Sequence, residues 1–519
     1  MLNLNVPPLD PARRQADLQP KTVAAWLARL PYASPTDAAQ QLMSALYVSN
    51  RQAIGADTRL ALLALYRPAV RRVAASLEAQ LADAGVPPHA LQRQTGTLLR
   101  ELRTELAIGY KQALLALDNG EARHPGKRLG ETVARALDAL YEVQLACHLT
   151  YSPLPASLWA EIRELMRVAR AAGVADKAVD DAPAASLAYR RALLTALADP
   201  PHLSPAELSH TRLYLDRFAA LATLVAAPVE GRRGFAATTA GADAPTPRAS
   251  VASDDGLWLD TDDLCRHLHG AALRLRTGDT PRRIGLPAEM DSEISLKLCK
   301  RLFKLWSGGV QRGFKRYADA GSTVEAVAGV SAIHHLLAGP AADADPESWH
   351  VSICDTGLRC STAAPVSRWR VDNDSAAGLA VCGTPETPLN LKVGEPLAIR
   401  GTPAACWSLA VIRWIRMRDA RQVQLGLQRL SPNAEAVWVR PLRGHRKASL
   451  EPALFIPGLA PMKQADRLLL PRHLYQIGMD AELWQAQQQT LLTFGQRLEH
   501  TPSYDLIDFT PFTAGPANP

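Results

Sequence analysis

The sequence predicts an α plus β protein of several domains, in which an N-terminal all-α bundle or short solenoid precedes a C-terminal half built from strands. The chain has 519 residues, which is too long for one core, and about 150 residues per domain suggests roughly three units. Residues 21–225 carry apolar stripes with helical spacing, whereas residues 410–415 and 422–430 are strand-like, and the second of these segments alternates apolar and polar side chains. A hydrophobic content of 47% suffices for folded cores.

The helical domain is predicted over residues 1–225. Val23, Trp26 and Leu30 share one helical face, and a longer stripe over residues 60–81 is interrupted by Pro68, which is expected to kink it. No fixed repeat is present, so a bundle or a short solenoid is expected.

The polar faces of these helices are predicted to be solvated. Arginines and acids alternate at helical spacing, as in residues 100–105. The helical half contains no group of residues typical of a catalytic site. We therefore predict that its surface binds another protein.

A change of composition follows the helices. Residues 226–256 are rich in Gly, Ala, Thr, Pro and Ser, which predicts a flexible linker. Residues 257–308 return to a helical pattern and are expected to form a helical lead-in that packs on the next domain. Asp291 or Ser292 is a candidate cap for the last helix, and Gly308 follows its end.

The run from Lys297 to Arg316 contains seven basic residues and no acid. The net charge of the whole chain is +7, so this run equals the entire excess. A basic run is most often a solvated face, but charge concentrated in this way also favours an anionic ligand. The basic residues are Lys297, Lys300, Arg301, Lys304, Arg312, Lys315 and Arg316.

Two short motifs are the candidate site. Arg312 and Arg316 provide planar charged forks that fit a phosphate or the O6 and N7 edge of guanine. Downstream, Asn373 and Ser375 offer hydrogen-bonding groups, and Gly378 is expected to permit a positive φ in a turn. The pair predicts an arginine clamp facing a polar turn.

At these residues the sequence resembles the PilZ family of cyclic di-GMP receptors. Arg312 and Arg316 match its Arg-x-x-x-Arg segment, and Asn373, Ser375 and Gly378 match its Asp/Asn-x-Ser-x-x-Gly segment. The resemblance implies that the arginines grip the phosphates and guanines of cyclic di-GMP while the second motif holds a guanine edge. The chain departs from the family in the length between the motifs, where a Pro, Gly, Asp and Ala-rich insertion occurs.

The resemblance also implies a PilZ-like antiparallel β-barrel, here assigned to residues 309–440. Residues 437–440 are predicted to be its last strand. Residues 441–519 are expected to form a C-terminal β extension, an additional small β unit. Its four predicted strands lie at residues 453–456, 467–470, 490–494 and 505–509.

We interpret the chain as a non-enzymatic receptor that couples cyclic di-GMP binding to an unidentified protein partner of the helical domain. Two alternatives remain open: a PilZ-like scaffold that has lost its ligand, and a nucleic-acid-binding module in which Trp407, Trp414 and Trp438 stack bases. Nucleic acid is disfavoured, because those tryptophans lie in strand patterns that need a core and 51 acidic residues dilute a basic footprint.

No catalytic residue, metal or further cofactor is predicted. The sequence lacks a nucleophile elbow or a pair of carboxylates with catalytic spacing, and His267, His269, His334 and His335 lack companion ligands. Seven cysteines without a Cys-x-x-Cys pair indicate reduced thiols. The N-terminus has no secretion signal and no run approaches the ~20 apolar residues of a membrane span. We therefore expect a cytoplasmic protein with no membrane insertion.

Overall fold

The computed structural model describes residues 2–9, 18–119, 125–238, 244–245, 256–288, 290–308, 317–318, 321–339, 365–375, 377–384, 389–419, 421–443, 446–447, 449–458, 464–485 and 488–512. Packing divides the chain into two units. We call residues 1–84 and 88–312 the helical unit, and residues 85–87 and 313–519 the barrel unit.

The N-terminal domain is helical, as predicted. The α-helices of the described chain are α1 (Pro20–Leu27), α2 (Pro35–Asn50), α3 (Ala56–Leu81), α4 (Ala90–Asp118), α5 (Pro125–Leu149), α6 (Leu158–Ala171), α7 (Ala185–Leu197), α8 (Pro205–Phe218), α9 (Asp262–Arg276), α10 (Ser292–Trp306) and α11 (Val330–Ala338). All but α11 belong to the helical unit.

The strands of the described chain follow mainly in the second half. They are β1 (Thr223–Val225), β2 (Gly234–Thr238), β3 (Gly256–Asp260), β4 (Tyr317–Ala318), β5 (Thr323–Ala328), β6 (Ser367–Ser375), β7 (Gly378–Gly383), β8 (Pro396–Arg400), β9 (Ser408–Met417), β10 (Val423–Ser431), β11 (Glu435–Arg443), β12 (Arg446–Lys447), β13 (Glu451–Ile456), β14 (Arg467–Pro471), β15 (Asp480–Gln485), β16 (Gln488–His500) and β17 (Tyr504–Pro511).

One continuous core fills the helical unit and includes α9 and α10. The Asp291 carboxylate caps α10 by accepting hydrogen bonds from the backbone N–H groups of Glu293 and Ile294 at 2.8 and 3.0 Å. At the other end, the buried Trp306 donates its indole N–H to the Leu194 carbonyl of α7 at 3.0 Å. The apolar face of α10 is therefore buried against the other helices. The sequence had led us to expect instead that this face packs on the barrel.

Several charged residues of the helices are buried, contrary to the prediction of solvated faces. Arg103 is 5% exposed and lies 2.6 Å from the Glu142 carboxylate. Glu105 is 7% exposed and pairs with Arg51 at 3.0 Å. Such charges tolerate burial because each has an opposite charge at hydrogen-bonding distance, which the spacing along one helix cannot reveal.

Within the predicted linker, residues 234–238 form a paired strand. β1, β3 and β2 make a three-stranded antiparallel sheet in that order. Phe235 pairs with Leu259 and is buried in the same core as the helices. Pairing with a strand more than ten residues away supplies the hydrogen bonds, and composition alone does not reveal such a partner.

The first barrel is closed by six antiparallel strands in the order β6-β5-β8-β9-β10-β7, with β7 returning to β6. The short β4 extends the edge of β6 beside β5. Gly426 of β10 has a packing reason to be glycine, because a Cβ there would lie 1.8 Å from the Trp414 indole nitrogen on β9. The predicted antiparallel barrel is confirmed.

The additional β unit is itself a closed six-stranded antiparallel barrel, in the order β11-β13-β14-β17-β16-β15, with β15 returning to β11. Residues 437–440 lie in β11 and pair with β13 and β15. The prediction that they form the last strand of the first barrel is therefore wrong. The end of β10 and the start of β11 are four residues apart. The sequence between them therefore gives no sign that one barrel ends and the next begins.

Helix α11 packs against strands of both barrels. Val330 and Ile333 share a buried cluster with Val411 of the first barrel and with Leu454 and Leu506 of the second. The two barrels therefore share a core around this helix. Within the described part of the chain, no helix combines the length and the apolar character needed to cross a bilayer.

Candidate functional site

The second motif lies on the hairpin formed by β6 and β7. Ser375 ends β6 and pairs with Gly378, which begins β7. The Ser375 hydroxyl donates a hydrogen bond to the Gly378 carbonyl at 2.8 Å, and the Ser375 N–H donates to the Asp374 carboxylate at 2.7 Å. These local bonds define the backbone of the turn.

Gly378 does not adopt a positive φ, so that part of the sequence prediction is wrong. The need for glycine has a different cause. Gly378 pairs with Gln428 of β10, and a Cβ at residue 378 would lie only 2.0 Å from the Leu427 carbonyl oxygen. Glycine is required because two backbones approach closely, not because of a left-handed turn.

A charged contact holds the outer side of the turn. Arg429 of β10 donates to both carboxylate oxygens of Asp374, at 2.8 and 3.1 Å, and to the Ser375 carbonyl at 2.6 Å. The Arg429 guanidinium, with the Ser375 N–H, holds the pKa of the Asp374 carboxyl below its usual range. Asp374 is therefore ionised at neutral pH and paired.

Asn373 carries the first side chain of the second motif. It is half-buried on β6, opposite Ala380 of β7. Among the residues that the structure describes, its side-chain amide has no hydrogen-bond partner, so its donors and acceptor are available to a ligand. Its neighbour Asp372 differs, since it accepts hydrogen bonds from Arg418 at 2.9 Å and from Gln424 at 2.7 Å.

The first motif, Arg312 and Arg316, lies outside the described residues. The chain is described again from Tyr317, the residue after Arg316. Tyr317 pairs with Asp374 and Ala318 pairs with Asn373. The segment directly after the first motif thus runs alongside the strand that carries the second.

Sequence reasoning missed Asp374, Arg429 and Tyr317. Arg429 is 55 residues from Asp374 in the chain, and only the pairing of β10 with β7 brings them together. No local pattern could have identified that contact. Asp374, in contrast, lies between Asn373 and Ser375 in the motif, so the sequence alone could have identified its carboxylate as a candidate.

In each of the two histidine pairs considered as metal ligands, at least one histidine contacts an aromatic side chain. The Tyr214 hydroxyl and His267 Nδ1 are 2.7 Å apart, and His334 packs edge-on against Trp438 with ring centroids 4.5 Å apart. Burial lowers the pKa of His334 to about 4. In the described ranges, no group of three His, Cys, Asp or Glu side chains is placed to hold a metal ion.

Three family models match the chain in succession. The N-terminal domain of the cyclic-di-GMP receptor FimW matches residues 21–228, its middle PilZ domain matches residues 235–343 and 358–436, and its C-terminal β-barrel domain matches residues 437–512. The middle model begins at residue 235, whereas packing assigns residues up to 312 to the helical unit. The third model begins inside β11, in agreement with the start of the second barrel.

The chain also resembles a curated protein over its whole length. It is 24% identical to the cyclic-di-GMP receptor FimW of Pseudomonas aeruginosa, in an alignment that covers 100% of this chain and 94% of the relative. No solved structure gives a significant match. The chain belongs to the PilZ-domain family. Its PilZ domain stands between an N-terminal helical domain and a second β-barrel.

Proposed function

We propose that this chain is a cyclic di-GMP receptor whose ligand binds to the first barrel through Arg312, Arg316, Asn373, Ser375 and Gly378. The single observation that carries the proposal is the pairing of β4 with β6, because β4 begins one residue after Arg316 and runs beside Asn373 and Asp374. The name of the relative, a cyclic-di-GMP receptor, supports this choice of ligand.

The chemistry of the two motifs suits this ligand. Two guanidinium forks match the two phosphates and the guanine O6 and N7 edges of a cyclic dinucleotide. The Asn373 amide offers both a donor and an acceptor for a base edge, and the Ser375 hydroxyl keeps acceptor capacity after donating to Gly378. We propose that these groups bind the ligand and catalyse no reaction.

The regulatory part of the proposal concerns the helical unit. It has its own core, and we infer that it binds a protein partner in the cytoplasm and that cyclic di-GMP shifts this binding. Such coupling requires the ligand to interact differently with at least two arrangements of the chain.

Calorimetric titration of the full chain with cyclic di-GMP tests the binding proposal. Arg312→Ala and Arg316→Ala should each weaken binding by about 1–3 kcal/mol, since each removes a bidentate charged contact. Arg400→Ala is the matched control, because Arg400 pairs with Glu325 at 2.8 Å elsewhere on the same barrel. Cyclic di-AMP, which lacks the guanine edge, should bind more weakly.

The alternatives predict different results. A scaffold that has lost its ligand would give no heat of binding with the wild-type chain, which would overturn the proposal. A nucleic-acid-binding module would bind single strands with a steep salt dependence, whereas a ligand with two phosphates gives a shallow one. Binding that is equally strong in wild type and both arginine variants would show that the site is elsewhere.

A further inference from the structure

One arginine contacts three residues of the hairpin that carries the second motif. Arg429 uses its backbone N–H to bind the Ala377 carbonyl at 3.0 Å. Its guanidinium binds the Asp374 carboxylate through Nη1 and Nη2, and Nη1 also binds the Ser375 carbonyl at 2.6 Å. These contacts come from β10, a strand outside the hairpin.

The carboxylate of Asp374 transmits this contact to the backbone. Besides the two Arg429 bonds, its Oδ1 accepts the Ser375 N–H at 2.7 Å. The backbone of Ser375 is thus held on both sides, its N–H by Asp374 and its carbonyl by Arg429. That backbone sets the direction in which the Ser375 side chain projects.

We propose that Arg429 is a positioning residue of the dinucleotide site, which fixes the turn between β6 and β7 through Asp374 and the Ser375 carbonyl and does not itself contact the ligand. This inference rests on the proposed function. Both Nη1 protons and one Nη2 proton are used by the turn, so three of the five guanidinium donors already have partners.

The geometry requires arginine and excludes lysine. An exposed ion pair contributes little by itself, and the side chains of Arg429 and Asp374 are 38% and 45% exposed. What distinguishes this pair is the planar fork, which binds two carboxylate oxygens and a carbonyl at once. A lysine ammonium keeps the charge but cannot reproduce those directions.

Calorimetry with cyclic di-GMP gives the first test. Arg429→Ala and Arg429→Lys should both weaken binding about tenfold or more, because each removes the bidentate contact to Asp374 that holds the turn, and loss of a supporting contact typically costs about 10–100-fold in ligand affinity. Arg400→Ala again serves as the control, and melting temperatures establish that each variant is folded. An affinity of Arg429→Ala within about twofold of wild type would overturn the inference.

A double-mutant cycle tests the route through Asp374. If Arg429 acts mainly through Asp374, Arg429→Ala should cause less than about a threefold further loss once Asp374→Ala is present. Additive losses would mean that Arg429 acts independently of Asp374, and the positioning role through that carboxylate would be wrong.

Hydrogen exchange without ligand completes the test. The peptide spanning residues 372–380 should exchange about tenfold faster in Arg429→Ala than in wild type, because the turn loses its external support. Unchanged exchange would overturn the positioning role whatever the calorimetry gives. Failure of the wild-type chain to bind cyclic di-GMP would instead contradict the proposed function, and the exchange result would still decide whether Arg429 fixes the turn.

Discussion

At the scale of single residues, Gly378 was correctly singled out as a glycine of the motif, but the structure gives a different reason why glycine is needed there. The sequence suggested a turn glycine with a positive φ, whereas the backbone of Gly378 is ordinary and the neighbouring strand leaves no space for a side chain. The distance to Leu427 depends on the register between β7 and β10. Residue type could be recognised from the sequence, but the contact partner could not.

Replacing Gly378 tests this explanation. Gly378→Ala should lower the free energy of unfolding by about 1–3 kcal/mol, because its Cβ forces β7 away from β10. Gly401→Ala is the matched control: Gly401 also lies in the first barrel, and its Cβ would meet nothing within 4 Å. Urea unfolding of both variants measures the difference. Equal midpoints for the two would remove the close-approach argument.

At the scale of elements, the periodic apolar stripes predicted the helices, and short segments typical of strands predicted β13, β14, β16 and β17. The sequence did not predict that the second set of strands closes on itself. Closure depends on the pairing of β11 with β15, which is a non-local contact with no local signature. The same limit explains why Arg429 was missed.

The two barrels are also joined by a charged contact. Arg413 of β9 donates to the Glu499 carboxylate of β16, with one bond at 3.2 Å, and to the Gln428 amide oxygen at 2.6 Å. Burial acts to lower the pKa of Arg413, but its hydrogen bond and attraction to Glu499 raise it overall. Arg413 therefore stays charged and binds both barrels.

A double-mutant cycle on Arg413 and Glu499 should give a coupling energy of about 1–2 kcal/mol, since the pair is largely shielded from water. The surface pair Arg167 and Glu164, three residues apart on α6, provides the comparison. It should couple by less than about 0.5 kcal/mol. Urea unfolding of the single and double variants supplies the energies. Similar coupling in both pairs would mean that the contact between the barrels adds no more than a surface ion pair.

At the scale of the whole molecule, the sequence set the boundary between domains by composition, in the Gly, Ala, Thr and Pro-rich residues 226–256. Packing instead extends the helical unit to residue 312. The reason is that α9 and α10 bury apolar faces in the helical core, with Leu298, Leu302 and Trp306 almost fully buried. Composition reports local flexibility, but it does not report which core an amphipathic helix joins.

This boundary bears on how a ligand could influence the helices. Arg312 and Arg316 fall in the stretch of sequence that joins α10 of the helical unit to β4 of the barrel unit. If both arginines hold the dinucleotide as proposed, the ligand would restrain that stretch, which α10 precedes in the chain. The restraint can alter the helical unit only if the ligand has different affinities for two arrangements of the chain.

Hydrogen exchange with and without cyclic di-GMP measures this coupling. Protection should increase in the β6–β7 hairpin through ligand contact, and it should also change in α10 and in helices between residues 21 and 225, because α10 shares their core. The Arg316→Ala chain under the same ligand concentration is the control and should show neither change. Protection confined to the hairpin of the wild-type chain would mean that the ligand binds without acting on the helical unit. In that case a partner of the helices would have to sense the barrel surface directly.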